Sequence, residues 1–443
     1  MMKALLFLIF NRRFAVVIAL GVAMPVYAAT IQEAFDNAIK VDPALRSSRF
    51  NQEANNENIA IARSRLLPQI SLQGSTNQLT QTTTQDVPGN SSISKSFTGP
   101  SANHQFVIRQ GLLRPKDVAA LNFAELQSQY AEVKYQSDIS DLWLRVANAW
   151  IELVGAGQLV VTYEKPLIPL LAAAKQEIAK LNQGDGTKDA AVEAEAQYQI
   201  ARATYQQASQ TFNAKQRTFE ILTHIDSKFL QIVKLDLKPI PIFSENDRDR
   251  LWSRVREKSF ELRFAAIQEL LQRERVRMAK ADHLPTLDVM AAWNIAKNDA
   301  TSTQGYRYQN NQIGIQYMVP IYAGGSISAT ERQAALALQA SIADSEAVAN
   351  RLEGDFRLLW SAWNGQNARV QAGYKLLESS NEQLRATQLS YAHGVKTIME
   401  VANAELVLSR RIADQINTVM DYQKYSARLS RVDFNLNFQN ILN

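Results

Sequence analysis

The chain has 443 residues, of which 46% are apolar and 21% charged, a composition typical of a folded protein with several domains or one elongated domain. It contains no cysteine, which excludes disulfides, thiolate metal sites and a lipid-modified cysteine. Its 48 Lys and Arg against 43 Asp and Glu give a formal net charge of only +5, so the composition does not indicate binding to nucleic acid.

Residues 1–28 have the layout of a secretory signal peptide. Three basic residues precede an apolar run over residues 14–24, and cleavage is expected after Ala28. The run is short for a membrane span, although a retained N-terminal anchor is the alternative. Removing this segment takes away three basic residues and no acidic one, which lowers the net charge from +5 to +2. The sequence therefore predicts an exported protein with no electrostatic preference for nucleic acid.

Two halves of the chain, residues 29–237 and 238–443, share motifs in the same order. LRSSRF from Leu45 corresponds to LRFAAI from Leu262. Further matches at nearly the same offset are Leu67-Pro68 with Leu284-Pro285 and Trp150 with Trp360. Motifs that recur in order at a constant spacing indicate two internal structural repeats.

Each half begins with a helical stretch, over residues 31–65 and 246–282, which the Leu-Pro pair ends because proline disfavours helical geometry at the preceding residue. A β-hairpin is then predicted over about 68–112 in the first half and about 285–322 in the second. In the first hairpin a long loop rich in Thr, Ser and Asn is expected over residues 81–101.

The second hairpin alternates apolar and polar residues, which predicts strands with one apolar and one polar face. Strands of about ten residues can cross a bilayer when tilted, so a membrane β-barrel is one interpretation and a half-buried hairpin in a soluble protein is the other. Four strands cannot close a barrel, and partners from other chains are then required. The residues predicted to face lipid are Leu287, Val289, Trp293, Ile313, Ile315 and Tyr317.

Very long helices are predicted after each hairpin. Residues 326–391 contain no proline, and at ~1.5 Å per residue this helix would be roughly 100 Å long. The corresponding helix of the first half begins near Pro115 and should break or kink at Pro166 and Pro169. Apolar residues at spacings of three and four predict packed helical seams, which indicates a rod or tube. The seam residues are Ala191, Ala194, Tyr198, Ala201, Tyr205, Ala208 and Phe212, and then Val401, Ala404, Leu408, Ile412, Ile416 and Val419.

A Gly-x-x-Thr element occurs once in each half, over about 184–188 and about 394–398, where one long helix should end and the next begin. Glycine tolerates the positive φ that ends a helix, and threonine is a favoured N-cap, so each element predicts a tight αα-hairpin tip. The second copy continues as Thr-x-x-Glu, a capping box that includes Glu400. The tip residues are Gly184 and Thr187, and Gly394 and Thr397.

Catalytic motifs are missing from the sequence. The four histidines are scattered without the spacing of metal ligands, and there is no nucleophile elbow. Gly324 and Gly325 precede a predicted helix but lack the lysine of a phosphate-binding loop, so a strand-to-helix turn is the simpler interpretation. No enzyme activity, cofactor or metal is expected.

Over almost all of its predicted mature length the chain resembles the TolC-like outer-membrane efflux and secretion channels. The resemblance rests on RSRLLPQISL (63–72), ADHLPTLDV (281–289), MVPIYAGGSI (318–327), SYAHGVKTIMEVANAE (390–405) and the duplicated layout. It implies a mainly α fold with a membrane β-barrel. Three copies would form one 12-stranded barrel in the outer membrane, continuous with a long α-helical periplasmic tunnel. A belt around the tunnel would include residues 213–245 and the C-terminal tail.

The resemblance also implies partners and a mode of action. The chain would act in the outer membrane of a Gram-negative bacterium as the passive exit duct of a tripartite efflux pump or type I secretion system. Its partners would be outer-membrane lipid, two further copies of itself, a periplasmic adaptor (membrane fusion) protein and an inner-membrane transporter of the RND or ABC class. The tip residues would form the adaptor-docking end.

A gate is implied by the same resemblance. The acidic residue that forms a ring at the family's constriction falls on Glu400, and the second acid found in some relatives is Asn403 here. A basic gate residue falls on Lys396, with partners in the first repeat at Asp189 and Ala190, of which only Asp189 carries charge. Whether Glu400 gates the channel or only caps its helix stays open at this point.

A second class of function is kept as the alternative, a periplasmic or secreted coiled-coil structural protein without channel activity. The long helices and the lack of catalytic motifs fit this alternative as well. The cargo of a channel also stays open among drugs, a protein toxin and metabolites, because the polar side chains of the predicted wall are not selective.

Overall fold

The computed structural model describes residues 30–86, 88–89, 92–226, 235–237, 244–298 and 306–433. The predicted signal peptide, the junction of the two halves at 238 and the C-terminal tail beyond 433 lie outside the described residues. In chain order the described elements are α1 (Ile31–Val41), α2 (Pro43–Ser64), β1 (Gln69–Gln85), β2 (Ile93–Leu113), α3 (Pro115–Glu164), α4 (Leu167–Gln183), α5 (Lys188–Thr223), α6 (Glu245–Lys258), α7 (Phe260–Ala281), β3 (Thr286–Asn298), β4 (Tyr306–Met318), α8 (Ser326–Ala392) and α9 (Ile398–Val432).

The helical stretch that opens each half consists of two helices rather than one. Between α1 and α2 the Asp42 carboxylate accepts a hydrogen bond from the Leu45 amide at 2.7 Å, and Pro43 is the first helical residue of α2. Proline is favoured there because its missing N–H would have no helical partner. Ser259 separates α6 from α7 in the same way and accepts from the Leu262 amide. A cap residue thus interrupts each stretch that the sequence predicts as continuous.

The four strands form one antiparallel sheet in the order β1-β2-β3-β4. The strands of the first hairpin are longer than the ten residues expected, and most of the loop predicted over 81–101 is strand. β1 continues to Gln85 and pairs there with Ile93, the first residue of β2. The cause is local, because β-branched threonines favour extended backbone and hydroxyl side chains pair across neighbouring strands.

The long helices lie where the sequence predicts them. α8 has 67 residues, which corresponds to roughly 100 Å. α3 ends at Glu164, two residues before Pro166, and Pro169 lies in the first turn of α4, where a missing N–H costs nothing. Within the part of the chain that the structure describes, no helix combines the length and apolar character needed to cross a membrane.

The main core lies where α1, α3, α5, α8 and α9 meet. Its largest fully buried side chains include Trp143 and Phe219. The predicted seams are confirmed at their buried positions, which are Ala191, Ala194, Ala201, Val401, Leu408, Ile416 and Val419.

One carboxylate also links three of these helices. Glu152 on α3 accepts hydrogen bonds from Lys215 on α5 and Lys424 on α9, each at 2.8 Å. Burial by itself would raise the pKa of Glu152, but the two ammonium groups lower it more, so the pKa lies below its ordinary value. The charge of Glu152 therefore contributes to the packing of α5 and α9 on α3 at neutral pH.

Replacing Gly373 of α8 with alanine is expected to destabilise the contact with α9 by about 1–3 kcal/mol, because the site has no room. A Cβ atom would lie 2.0 Å from Oε1 of Gln415. Gln415 is buried and cannot easily move, since its Nε2 donates to the Val370 and Leu237 carbonyls. Thermal unfolding followed by circular dichroism in detergent measures the loss.

Gly365 provides the matched control on the same helix. A Cβ atom there meets nothing within 4 Å in this chain. Alanine at Gly365 should raise stability by up to ~1 kcal/mol through helix propensity. Equal effects of the two substitutions would contradict the packing argument.

Candidate functional site

The turn between α4 and α5 forms the first tip. Gly184 has a φ of +84°, which other residues adopt only with strain, and the Asp185 amide donates to the Lys180 carbonyl at 3.0 Å. Two residues later the Thr187 hydroxyl accepts a hydrogen bond from the Ala190 amide at 3.3 Å and caps α5. The chain therefore reverses direction through two local signals, as the sequence predicts.

The turn between α8 and α9 forms the second tip with the same plan. Gly394 has a φ of +72°, and the Val395 amide donates to the Ser390 carbonyl at 2.9 Å. Thr397 caps α9 by accepting from the Glu400 amide at 3.3 Å, and its own amide donates to Oε2 of Glu400 at 2.8 Å. The reciprocal pair is the predicted capping box.

Glu400 has a second partner besides its capping role. Its Oε1 accepts a hydrogen bond from Nζ of Lys396, four residues earlier. The Lys396 ammonium and then the Thr397 amide hold the pKa of Glu400 below its ordinary value, because both stabilise the charged form. The side chain is 41% exposed. Glu400 is thus an ionised carboxylate that is held in place at the end of the molecule and open to solvent.

A small apolar cluster packs the start of α9 against α4 and α5, the two helices that form the first tip. Ala402 on α9 packs with Ala173 on α4 and Ala201 on α5, and all three are buried. Ile398 and Met399, in the first turn of α9, pack against this cluster. Small residues allow close approach of helices. The contact turns the apolar side of the α9 start inward and leaves Glu400, the next residue, exposed.

The other predicted gate residues lie near this end but have different surroundings. Asp189 is exposed in the first turn of α5, and Asn403 is half-buried one turn beyond Glu400. Lys396 contacts Glu400 in its own turn. A pairing of Lys396 with Asp189 stays a prediction, as do the roles of the tip residues in docking.

One titratable group in this region was missed by the sequence analysis. Glu405 on α9 is half-buried, and burial raises its pKa against the opposing effect of Lys165. A signal was present in the sequence, since Glu405 lies four residues after Val401 and three before Leu408, on the face of the α9 seam. A carboxyl group on that face is desolvated between helices.

The sheet has one apolar face. Paired residues of antiparallel strands point to the same side, and the register pairs Leu287 with Tyr317 and Val289 with Ile315. The exposed fractions of Tyr317, Ile313 and Ile315 are 75%, 82% and 67%, so the described residues leave this face largely uncovered at β4. All six residues predicted to face lipid lie on it, and β1 and β2 add Ile70, Leu72, Phe106 and Ile108.

The opposite face of the sheet is mainly polar. By the alternation of β1 it carries Ser71, Gln73, Ser75 and Asn77. The sheet therefore separates an apolar environment from a polar one, which is the property of a channel wall in a membrane.

A charged cluster on the polar face joins the sheet to the helices, and the sequence analysis did not identify it. The side chain of Asp288 on β3 is only 5% exposed and accepts from Nε of Arg114 at 2.7 Å and Nε of Arg109 at 3.0 Å. Arg114 precedes α3, so one carboxylate links two strands to the start of a long helix. Nearby, Lys116 pairs with the more exposed Asp282 at 2.8 Å.

A two-faced sheet joined to long helices, of which α8 reaches roughly 100 Å, is the architecture expected of a membrane channel with a helical extension. The family model described as outer membrane efflux protein matches residues 34–167 and 251–433, well over half of the sequence. The chain belongs to the outer membrane efflux protein family.

Characterised relatives support this assignment along most of the chain. The outer membrane protein TolC of Vibrio cholerae is 25% identical, and the match covers 89% of this chain and 88% of that protein. The proteases secretion protein PrtF of Dickeya chrysanthemi is 24% identical, with 85% of this chain and 82% of that protein covered. These matches confirm the TolC-like resemblance.

Solved structures show the same fold. The Campylobacter jejuni CmeC outer membrane channel aligns with a TM-score of 0.72 at 14% identity, covering 91% of this chain and 85% of that one. The Neisseria gonorrhoeae MtrE outer membrane channel aligns with a TM-score of 0.69 at 17% identity, covering 91% and 88%.

These findings place the protein in the outer membrane of Gram-negative bacteria, with its helical part in the periplasm. It is an outer-membrane exit duct of efflux or secretion systems. Its family consists of transport channels and is not a family of enzymes. The alternative of a coiled-coil structural protein without channel activity is therefore not supported.

Proposed function

We propose that three copies of this chain assemble into one 12-stranded barrel that continues into an α-helical tunnel. Each sheet has two unpaired edges, β1 and β4, and an open edge pairs readily with another strand. Joining β4 of one copy to β1 of the next removes all edges. The apolar face would then contact outer-membrane lipid, and the polar face would line a water-filled lumen.

The tunnel would be built from α3, α4, α5, α8 and α9 of each copy. The order of elements supports an internal duplication, because two helices, a hairpin and long helices with a tip follow one another twice. In this arrangement residues 29–237 and 238–443 contribute equivalent walls. The tips of both halves would meet at the periplasmic mouth, where their exposed Gly-x-x-Thr turns form the docking surface for the adaptor.

The gate would lie at the second tip. Three Glu400 carboxylates near one axis would repel each other, and Lys396 offsets part of this repulsion in each copy. The ring would favour cations while closed. A periplasmic adaptor protein and an inner-membrane transporter, of the RND or ABC class, would supply energy, choose the cargo and open the tips. The names of the relatives fit protein secretion as well as efflux.

The observation that carries this proposal is the pair of opposite faces on a sheet with two open edges. Its test is purification of the full-length exported protein in detergent, followed by gel electrophoresis before and after heating and by planar-bilayer recording. A heat-labile trimer that forms cation-selective channels is expected. A protein that stays monomeric and soluble without detergent would rule the proposal out.

A further inference from the structure

The first hairpin is longer than the rest of the sheet. β2 pairs with β3 only as far as Ser101 with Asn298, whereas β1 and β2 stay paired for eight more residues, from Gln78 with Pro100 to Gln85 with Ile93. At ~3.4 Å per residue this extension, residues 78–85 and 93–100, is roughly 27 Å long. It projects as a two-stranded ribbon beyond the level at which the described strands form a four-stranded sheet.

One face of the extension is a ladder of hydroxyl groups. Thr80 pairs with Thr98 at 3.0 Å, Thr82 with Ser96 at 3.1 Å and Thr84 with Ser94 at 2.8 Å, between side-chain oxygens. By strand alternation this face continues the apolar face of the sheet, which carries Ile70 and Leu72. The side that is apolar at membrane level is therefore polar in the extension.

The other face changes in the opposite direction. It continues the polar face of Ser75 and Asn77, but in the extension Leu79, Phe97 and Ile93 stand among the polar side chains of this face, which are Gln81, Thr83, Gln85 and Lys95. Leu79 is 39% exposed and Ile93 49% exposed, so the chain itself covers neither completely. Hydroxyl groups thus replace the apolar side chains on one face, and three apolar side chains appear on the face that would line the lumen lower down.

An isolated two-stranded ribbon is marginally stable in water, so the extension needs something to cover its apolar face. Lipid does not suit this role, because the face belongs to the lumen side and not to the side that carries Ile70 and Leu72. In the proposed trimer the same face of two other extensions lies across the lumen. A twelve-stranded barrel has an estimated radius of ~12 Å, and a ribbon of roughly 27 Å can reach its axis.

We propose that the extensions of three copies pack together through Leu79, Phe97 and Ile93 and form an apolar cap over the outer mouth of the channel. This inference rests on the proposed trimer. Lys95 is the one charged residue on that face within the extension, and its flexible stem can cover apolar surface while the ammonium group stays in water. Mutual repulsion of three such groups would keep the cap weak enough to yield to outgoing cargo.

Cysteine cross-linking tests the cap directly, because the chain contains no cysteine of its own. Phe97→Cys places a thiol on the apolar face, and the matched control Ser96→Cys places one on the hydroxyl face of the same strand. Mild oxidation of whole cells is followed by non-reducing gel electrophoresis. A disulfide forms only where the two Cα atoms come within about 7 Å. A covalent dimer band is expected for Phe97→Cys, and no such band is expected for Ser96→Cys.

A second variant is needed because Phe97→Cys removes one of the side chains that would form the cap. Leu79→Cys keeps Phe97 in place and should also give dimers, with Thr80→Cys as its control. Heat-labile trimers on an unoxidised gel report assembly separately. Normal trimers in which neither Phe97→Cys nor Leu79→Cys cross-links, or in which both faces cross-link equally, would overturn the cap. Missing trimers would instead refute the proposed assembly.

Discussion

Glu400→Gln is expected to remove most of the cation preference of the channel while leaving its periplasmic tip folded. Glutamine keeps an oxygen that can accept the hydrogen bond from the Thr397 amide, but it carries no charge. If three carboxylates converge, their loss should lower the selectivity for cations roughly tenfold, because the attraction of three negative charges for an ion at the constriction is lost. The reversal potential in a salt gradient across a planar bilayer measures this change.

Two further variants separate the effect of the Glu400 charge from its contribution to the N-terminal capping box of α9. Glu400→Ala removes the charge and the hydrogen bond from the Thr397 amide, while the Thr397 hydroxyl still caps the helix, so this variant should lose selectivity and also weaken the start of α9. Asp185→Asn removes an exposed acid from the other tip turn and should change neither property much. Unchanged selectivity in Glu400→Gln would contradict the gate and leave Glu400 as a helix cap only.

The pH dependence of the tip follows from the lowered pKa of Glu400. A carboxyl group whose pKa is lower in the folded protein stabilises it at pH values above its ordinary range, and that contribution is lost as the pH falls through the lowered value. Wild-type tips should therefore lose stability on acidification, and the Glu400→Gln variant should show a smaller change. Hydrogen exchange of the α9 start as a function of pH measures the difference.

Asp288→Ala should be among the most destabilising single substitutions at the junction of sheet and helices. It removes the carboxylate between Arg109 and Arg114 and leaves two guanidinium groups without their shared partner. The side chains of Arg109 and Arg114 are 48% and 28% exposed, so the expected cost is that of losing charged hydrogen bonds to a buried carboxylate, about 1.5–3 kcal/mol. The temperature at which trimers dissociate on a gel should fall clearly, and less purified protein should assemble.

Asp282 offers the matched control for this prediction. It pairs with Lys116 in the same region, but its side chain is 32% exposed compared with 5% for Asp288. An exposed pair contributes about 0–1 kcal/mol, so Asp282→Ala should leave the dissociation temperature nearly unchanged. Equal dissociation temperatures for the two variants would show that the Asp288 cluster is not needed for stability.

The parts of the fold that could be predicted depend on neighbours in the sequence. The capping box of Thr397 and Glu400 joins residues three apart, so its residue types alone predict it. The same is true of the helix end at Gly394. The seams of α5 and α9 were predictable because burial of one helical face repeats every three to four residues.

The length of the first hairpin could not be predicted in the same way. Residues 81–101 are polar on both faces apart from a few positions, so no alternation marks them as strand. Their pairing depends on cross-strand contacts such as Thr82 with Ser96, which exist only once the register is set. That Leu79, Phe97 and Ile93 share one face, opposite the hydroxyl ladder, appears only in that register.

The sequence by itself determined the family, the helices, the tight turns at the two tips and the residues that share the apolar face of the sheet, because the motifs, the local periodicity and the turn chemistry specify them. Only the tertiary structure decided which distant charges meet. Arg114 and Asp288 are 174 residues apart, and Glu152 and Lys424 are 272 apart. Nothing in the local pattern around a charged residue specifies such a partner, since packing of whole helices and strands brings the two together. For Lys396 the structure showed a nearby partner, Glu400, four residues along the same turn.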